Sequence, residues 1–178
     1  MRIILFMLGV FVIIYILKLY IMFGVEKIQN KFKSNYWDGL PDMIEKYKRT
    51  AAPFIKGWMN KGTRALYNCM CFYGASIALM EENEEEFLKQ LNMIEKEEEY
   101  EMKPFILALY YRGRQRQEEA KECYQKFLNC KPQSKDVKII MDNLFGEEMG
   151  NKEPISGEIL GNFRNCAILK LFEENKLR

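Results

Sequence analysis

The chain reads as an all-α protein, an N-terminal transmembrane helix followed by a short array of antiparallel helix hairpins. Three observations lead there. Residues 3–25, IILFMLGVFVIIYILKLYIMFGV, are apolar apart from Lys18. Residues 104–132, PFILALYYRGRQRQEEAKECYQKFLNCKP, set two apolar helix faces back to back: Leu107, Ala108 and Tyr111 on the first, Ala120 and Tyr124 on the second, with Pro132 as the stop. The 178 residues, 48% hydrophobic and 29% charged, suffice for one globular domain plus an anchor.

The apolar run comes first. At 1.5 Å per helical residue it spans about 34 Å, enough to cross a hydrocarbon core of about 30 Å with some tilt. Lys18 lies near its far end and can snorkel to the headgroups, while Tyr15 and Tyr20 suit the interface. A cleaved signal peptide is disfavoured by the length of the run and by Val25-Glu26-Lys27, a poor cleavage site. A buried core helix is the remaining alternative.

Net charge is only +2 but is unevenly spread. Residues 2–64 carry eleven Lys/Arg against four Asp/Glu, and residues 81–101 carry ten Glu against two Lys. A basic segment beside the membrane favours an anionic cytoplasmic leaflet. Lys27, Lys31 and Lys33 after the run, against Arg2 before it, lean the same way. Cys69, Cys71, Cys123, Cys130 and Cys166 are odd in number and fall at apolar helical positions, which suits free thiols in a reducing compartment. The expectation is a single-pass membrane protein with its domain in the cytoplasm.

Residues 26–40 read as a polar, basic juxtamembrane linker closing on the Asp38-Gly39 turn. Leu40-Pro41 opens a helix with Met43, Ile44 and Tyr47 on one face. Pro53 interrupts it or starts a short helix over 53–60, which Gly62 ends. Thr63 looks like the N-cap of a helix over 64–80, uncharged after Arg64 and therefore buried, with Gly74 and Ala75 allowing a neighbouring helix to approach closely. In the acidic stretch that follows, Phe87, Leu88, Leu91, Met93 and Ile94 recur at helical spacing with glutamates opposite. Those glutamates read as a solvated face, or as an acidic strip for a cation or partner. Val137, Ile140, Met141, Leu144 and Phe145 form a further helix that starts near Ser134 and stops at Gly146. Residues 146–162 read as a loop. A final helix over 163–176, with Phe163, Ala167, Ile168, Leu171 and Phe172 on one face, caps the array. The domain division is an anchor over 1–25, a linker over 26–40, a helical domain over 41–146, and a loop with capping helix over 147–178.

Ala75 precedes Ala108 by 33 residues, and Phe87 precedes Ala120 by the same interval, so 71–98 looks like a degenerate copy of 104–130. This spacing resembles the tetratricopeptide repeat (TPR): large, small and aromatic residues on helix A, small and aromatic on helix B, then proline. Pro104 stands where the family usually has an aromatic, and Ala108 where it often has glycine. The resemblance implies a short TPR-like α-solenoid that works as a protein-interaction scaffold, with helix A of each unit lining a concave groove. Carried over, the candidate partner-binding positions are Phe72, Ser76 and Leu79 in one unit and Phe105, Leu109 and Arg112 in the next. Members that clamp a peptide carboxylate place Lys and Asn there. Phe and Leu here imply no such clamp, and a groove filled by a helix of the chain itself or by an apolar peptide.

Arg112, Arg114 and Arg116, with Lys121, form a basic cluster. It suits an acidic partner or a lipid headgroup. Alternatively it is a helix end that favours basic residues, or it pairs with the glutamates of 81–101. Aromatic residues are not interleaved as a stacking platform, so no nucleic-acid partner is expected.

The chain has no histidine, which removes Ser–His and Cys–His nucleophilic pairs and the commonest transition-metal ligand. It contains no P-loop, G-x-G-x-x-G or G-x-S-x-G motif. The Cys69-x-Cys71 pair lacks a second ligand pair. No catalytic residue, metal, cofactor or small-molecule substrate is expected. The reading is a non-enzymatic, membrane-anchored adaptor for an unknown protein partner. The alternatives are a structural subunit of a membrane protein complex and an extracytoplasmic, surface-facing domain. Scarce histidine with abundant Lys, Ile and Asn hints at an AT-rich bacterial source.

Overall fold

A computed structural model describes residues 2–34, 38–55, 60–95, 101–146, 155–163 and 166–177. Among them the regular structure is helical: α1 (Arg2–Lys33), α2 (Leu40–Ala51), a 3-10 turn (Ala52–Phe54), α3 (Asn60–Met80), α4 (Glu84–Asn92), α5 (Met102–Gly113), α6 (Gln117–Asn129), α7 (Lys135–Phe145), α8 (Gly157–Gly161) and α9 (Cys166–Glu174). They fall into two compact units, Met1–Ala78 with Glu84–Glu95, and Leu79–Asn83 with Lys96–Arg178.

In the first unit α1 is long and continuous. From Met7 to Phe23 its large apolar side chains are mostly exposed, and the helix is apolar and long enough to cross a membrane. The helix does not end where the apolar run ends. Ile28 and Phe32 lie within the helical part, 26–33, of the stretch 26–40 that the sequence presents as a linker, and together with Ile21 and Val25 they form a buried stripe. Ile28 and Phe32, one helical turn apart, hold that segment in the core, although its composition is polar. α2 packs along this stripe through Leu40, Ile44, Tyr47 and Ala51. Gly39 turns the chain into α2 with a left-handed φ of 64°, which glycine adopts without a Cβ penalty.

Gly24 lies beneath the Tyr47 ring, where any Cβ would collide. The Phe32 and Tyr73 rings meet at 5.0 Å and bring α3 against α1. α3 begins at Asn60, before the expected start, so Gly62 lies inside it and Thr63 is a buried helical residue rather than an N-cap. The helix expected over 53–60 is a 3-10 turn in its described part, and residues 56–59 lie outside the described residues. α4 opens on Glu84, Glu85 and Glu86, where the helix dipole favours negative charge, and ends at Asn92. It is shorter than the acidic stretch, because Ile94 turns into the core beyond its end.

The second unit is built around α5, which is buried over most of its circumference. α5 and α6 form an antiparallel hairpin, α7 packs on α6, and α9 packs on α5. Ser134 caps α7 by accepting from the Val137 amide at 3.3 Å, and the helix stops at Gly146, as the sequence indicates. The Glu101 carboxylate accepts from the amides of Gln133 (2.6 Å) and Ser134 (3.3 Å) and so fixes the turn ahead of that cap. Within the stretch read as a loop, Ser156 caps the short α8; residues 147–154 lie outside the described residues.

The aromatic assignment of the hairpin needs correction. Tyr110, rather than Tyr111, is fully buried, and Tyr111 is half-exposed. Tyr124 turns toward α7, where it donates to Asp142 at 2.9 Å and stacks on Phe145 at 5.5 Å. Gln115, Lys131 and Lys176 adopt left-handed φ values just after α5, α6 and α9. The six-to-one hydrogen bonds from Arg116 N to Tyr111 O and from Leu177 N to Phe172 O close two of these ends as Schellman turns.

Candidate functional site

Of the expected groove residues, Phe72, Ser76, Leu79, Phe105 and Leu109 are buried and Arg112 is half-buried. In the first unit Phe72 and Ser76 are buried on α3, and the Ser76 hydroxyl is taken up by the Phe72 carbonyl one turn back at 2.9 Å. Leu79 is also buried but belongs to the second unit.

On α5, Phe105 and Leu109 are 0% exposed. Phe105 lies 5.8 Å from the Phe163 ring and 6.5 Å from Phe172 of α9, and those two rings meet edge-on at 5.3 Å. The C-terminal helix thus occupies the face of α5 on which the TPR resemblance places a ligand groove. An apolar helix face is costly to leave in water, and Ala167, Ile168, Leu171 and Phe172 supply the matching apolar stripe.

The basic cluster meets the end of the same helix. Arg112 donates to Asn175 Oδ1 at 3.0 Å. The Asn175 amide donates in turn to the carbonyls of Leu109 (2.9 Å) and Leu171 (2.8 Å). Asn175 therefore joins α5, α9 and Arg112 through a buried side chain. Arg114 pairs with Glu174 at 3.2 Å and lies over the Tyr110 ring at 3.8 Å. Arg116 pairs with Glu119 and lies over Tyr111 at 4.5 Å. Two of the three arginines thus engage residues at the C-terminal end of α9, where the helix dipole and exposed carbonyls favour cations. The surface contact of Lys121 is to Glu118 at 3.9 Å. The ion-pair partners of Arg114 and Arg116, Glu174 and Glu119, lie outside 81–101.

The first unit holds a polar cluster that sequence reasoning missed. Lys48 on α2 is 2% exposed, yet its ammonium lies 2.8 Å from Glu45, 2.8 Å from Gln90 Oε1 and 3.5 Å from the Met93 sulfur. Three donors thus find three acceptors, which a buried ammonium requires. Gln90 also donates to Glu86 at 2.7 Å, so one amide ties α2 to α4. Burial alone would raise the Glu45 carboxyl, but the hydrogen bond and charge of Lys48, with Gln90 and Arg49, outweigh it and hold the group below its usual range. Gln90 rests against Gly74, the small residue noted in the sequence. Nearby, Asn68 pairs with the Glu95 backbone in both directions, at 2.9 and 3.0 Å, and secures the chain leaving α4. Nothing in the sequence distinguishes Lys48 from the exposed Lys46 and Arg49 beside it except its place on the apolar face with Ile44 and Tyr47.

Burial pushes the Cys69 and Cys71 thiols up to about 11, so neither offers a thiolate at neutral pH. Cys69, Cys71, Cys123 and Cys130 are not joined in a disulfide. The side chain of Cys166 lies outside the described residues.

A scan against protein-family models, a search of curated proteins and a search of solved structures each return no significant match to this chain.

Proposed function

We propose that this chain is a single-pass, non-enzymatic membrane protein whose TPR-like helical domain serves as an adaptor or scaffold for protein partners at the membrane. The observation that carries the reading is α1, whose exposed apolar stretch from Met7 to Phe23 continues without a break into a packed helical domain. A signal sequence that is removed would take the Ile21 end of a core stripe with it. Cys69, Cys71, Cys123 and Cys130, which are not joined in a disulfide, support a cytoplasmic domain.

The repeat reading draws support from burial. Positions 33 residues apart share it: Phe72 with Phe105, Ala75 with Ala108, Phe87 with Ala120, and Ile94 with Phe127 are all buried. The absence of histidine and of nucleotide or nucleophile motifs favours a binding role over catalysis.

Coverage of α5 by α9 favours a second reading, a structural subunit of a membrane protein complex with no groove ligand of its own. Proximity labelling from a C-terminal tag in living cells separates the two. Labelled cytosolic proteins that persist when residues 3–25 are exchanged for an unrelated anchor support the adaptor. Labelled membrane proteins alone, lost on that exchange, support the structural subunit. Labelling confined to secreted or envelope proteins refutes the cytoplasmic orientation.

A further inference from the structure

α2 runs back along α1, and this places one end of the first unit beside the apolar stretch. Lys31 near the end of α1 meets the Asp38 carbonyl at 3.0 Å, and Tyr47, further along α2, covers Gly24. Closer still to the N-terminus, the Tyr20 ring lies 5.0 Å from that of Tyr47, with the Lys46 ammonium 6.0 Å from both. At Lys18 the side chain reaches α3, and its Nζ lies 3.3 Å from where a Cβ on Gly62 would be. The last turn of α2, the Ala52–Phe54 turn that follows it and the first turn of α3 therefore stand level with Lys18 and Tyr20.

A lysine ammonium and a tyrosine ring on a membrane helix belong at the headgroups. Helix length gives the same level independently. Arg2 is the last charge before the apolar run, and about 20 helical residues cover a hydrocarbon core of about 30 Å, which from Ile3 reaches Met22. The protein-buried stripe of the same continuous helix begins at Ile21. The lipid-facing and protein-facing parts of α1 thus overlap, leaving no spacer between them. At that level the first unit presents Lys46, Arg49, Ala52 and Pro53 as exposed residues and Phe54 as a half-buried one.

We propose that the first unit stands directly on the bilayer, with the end of α2, the Ala52–Phe54 turn and the start of α3 in the headgroup layer and Lys46 and Arg49 against the phosphates of anionic phospholipids. The inference rests on α1 being the membrane anchor. Basic side chains close to an anionic surface are drawn to it, and a short exposed turn carrying proline and phenylalanine suits the interfacial zone.

The test uses the full chain reconstituted in vesicles of phosphatidylcholine with phosphatidylglycerol. A fluorescent amino acid is encoded singly at position 52, at 42 on the opposite end of α2, and at 11 within the apolar stretch. The expected result is that position 52 is quenched by a headgroup nitroxide lipid and is at least threefold less quenched by aqueous iodide than position 42. Position 11 is quenched by an acyl-chain nitroxide. Placing the probe at 53 repeats the measurement should the variant at 52 fail to fold. Lys46→Glu with Arg49→Glu should bring iodide quenching at 52 up toward the level at 42.

Equal iodide quenching at 52 and 42, with 11 still in the acyl chains, overturns the docked arrangement and leaves the anchor intact. Shielding at 52 unchanged by the charge reversal overturns the phosphate contact. Iodide access at position 11 overturns the anchor, and the inference with it.

Discussion

Replacing Gly74 by alanine tests the close approach of α3 and α4 around the buried Lys48. A Cβ at this position would lie 2.8 Å from Gln90 Oε1 and 2.9 Å from Cδ, inside normal van der Waals contact. The Gln90 amide has little freedom to withdraw, since it is buried, accepts from Lys48 at 2.8 Å and donates to Glu86 at 2.7 Å. Overpacking a core costs about 1–3 kcal/mol, and a hydrogen bond to a charged group contributes about 1.5–3 kcal/mol. Alanine recovers about 0.5–1 kcal/mol over glycine in a helix interior. Because the overpacking and hydrogen-bond effects act through the same amide and do not simply add, the net expectation is a loss of about 2–4 kcal/mol. Urea unfolding of the detergent-solubilised chain, followed by circular dichroism, measures it, and hydrogen exchange places the loss in α2, α3 and α4. In a Gln90→Ala background the obstruction is gone, so Gly74→Ala should there be neutral or stabilising by up to about 1 kcal/mol. If Gly74→Ala stabilises the protein in both backgrounds, Gln90 does not press on Gly74 and the packing argument fails.

Other expectations follow from the second unit and the thiols. Asn175→Ala removes three hydrogen bonds, two of them buried, and should destabilise the second unit by about 2–3 kcal/mol, with faster hydrogen exchange in α9; unchanged exchange would refute its role as a latch. Burial and the Asp142 contact push the Tyr124 hydroxyl up to about 12 from an ordinary value of 10, so the folded state holds this proton more tightly than the unfolded chain. That contribution is complete below pH 10 and is lost as pH rises toward 12; Tyr124→Phe should flatten the alkaline fall in stability seen by denaturant titration. Cys69 and Cys71 should alkylate at pH 8 at least tenfold more slowly in the native chain than in urea, read by mass spectrometry; equal rates would contradict their burial. Gln115 holds a left-handed φ of 61° after α5, and Gln115→Gly should raise stability by about 0.5–1 kcal/mol in thermal unfolding.

Features written in short-range chemistry were legible in the sequence. Ser134 and Gly146 bracket α7 because a hydroxyl cap and a chain break act on their own neighbours. The proline at the start of α2 is of the same kind. Gly74 could be recognised as a point of close approach, but not what approaches it. The misreadings also have physical causes. Composition made 26–40 a linker, although Ile28 and Phe32 suffice to hold its first part in a core. Tyr110 and Tyr111 are adjacent and equally aromatic, and only the surfaces around α5 select which one is enclosed. The candidate groove was located by resemblance, which cannot say what lies upon it.

By itself the sequence determined an all-helical chain with one helix apolar and long enough to cross a membrane, because backbone hydrogen bonding, caps and hydrophobic periodicity are satisfied within a few residues. Tertiary structure alone decided the partners. Arg112 finds Asn175 at a separation of 63 residues, and Lys48 finds Gln90 at 42. Such pairs lie beyond any local periodicity. They form because a buried donor left without an acceptor costs more than the chain ordering needed to bring one to it.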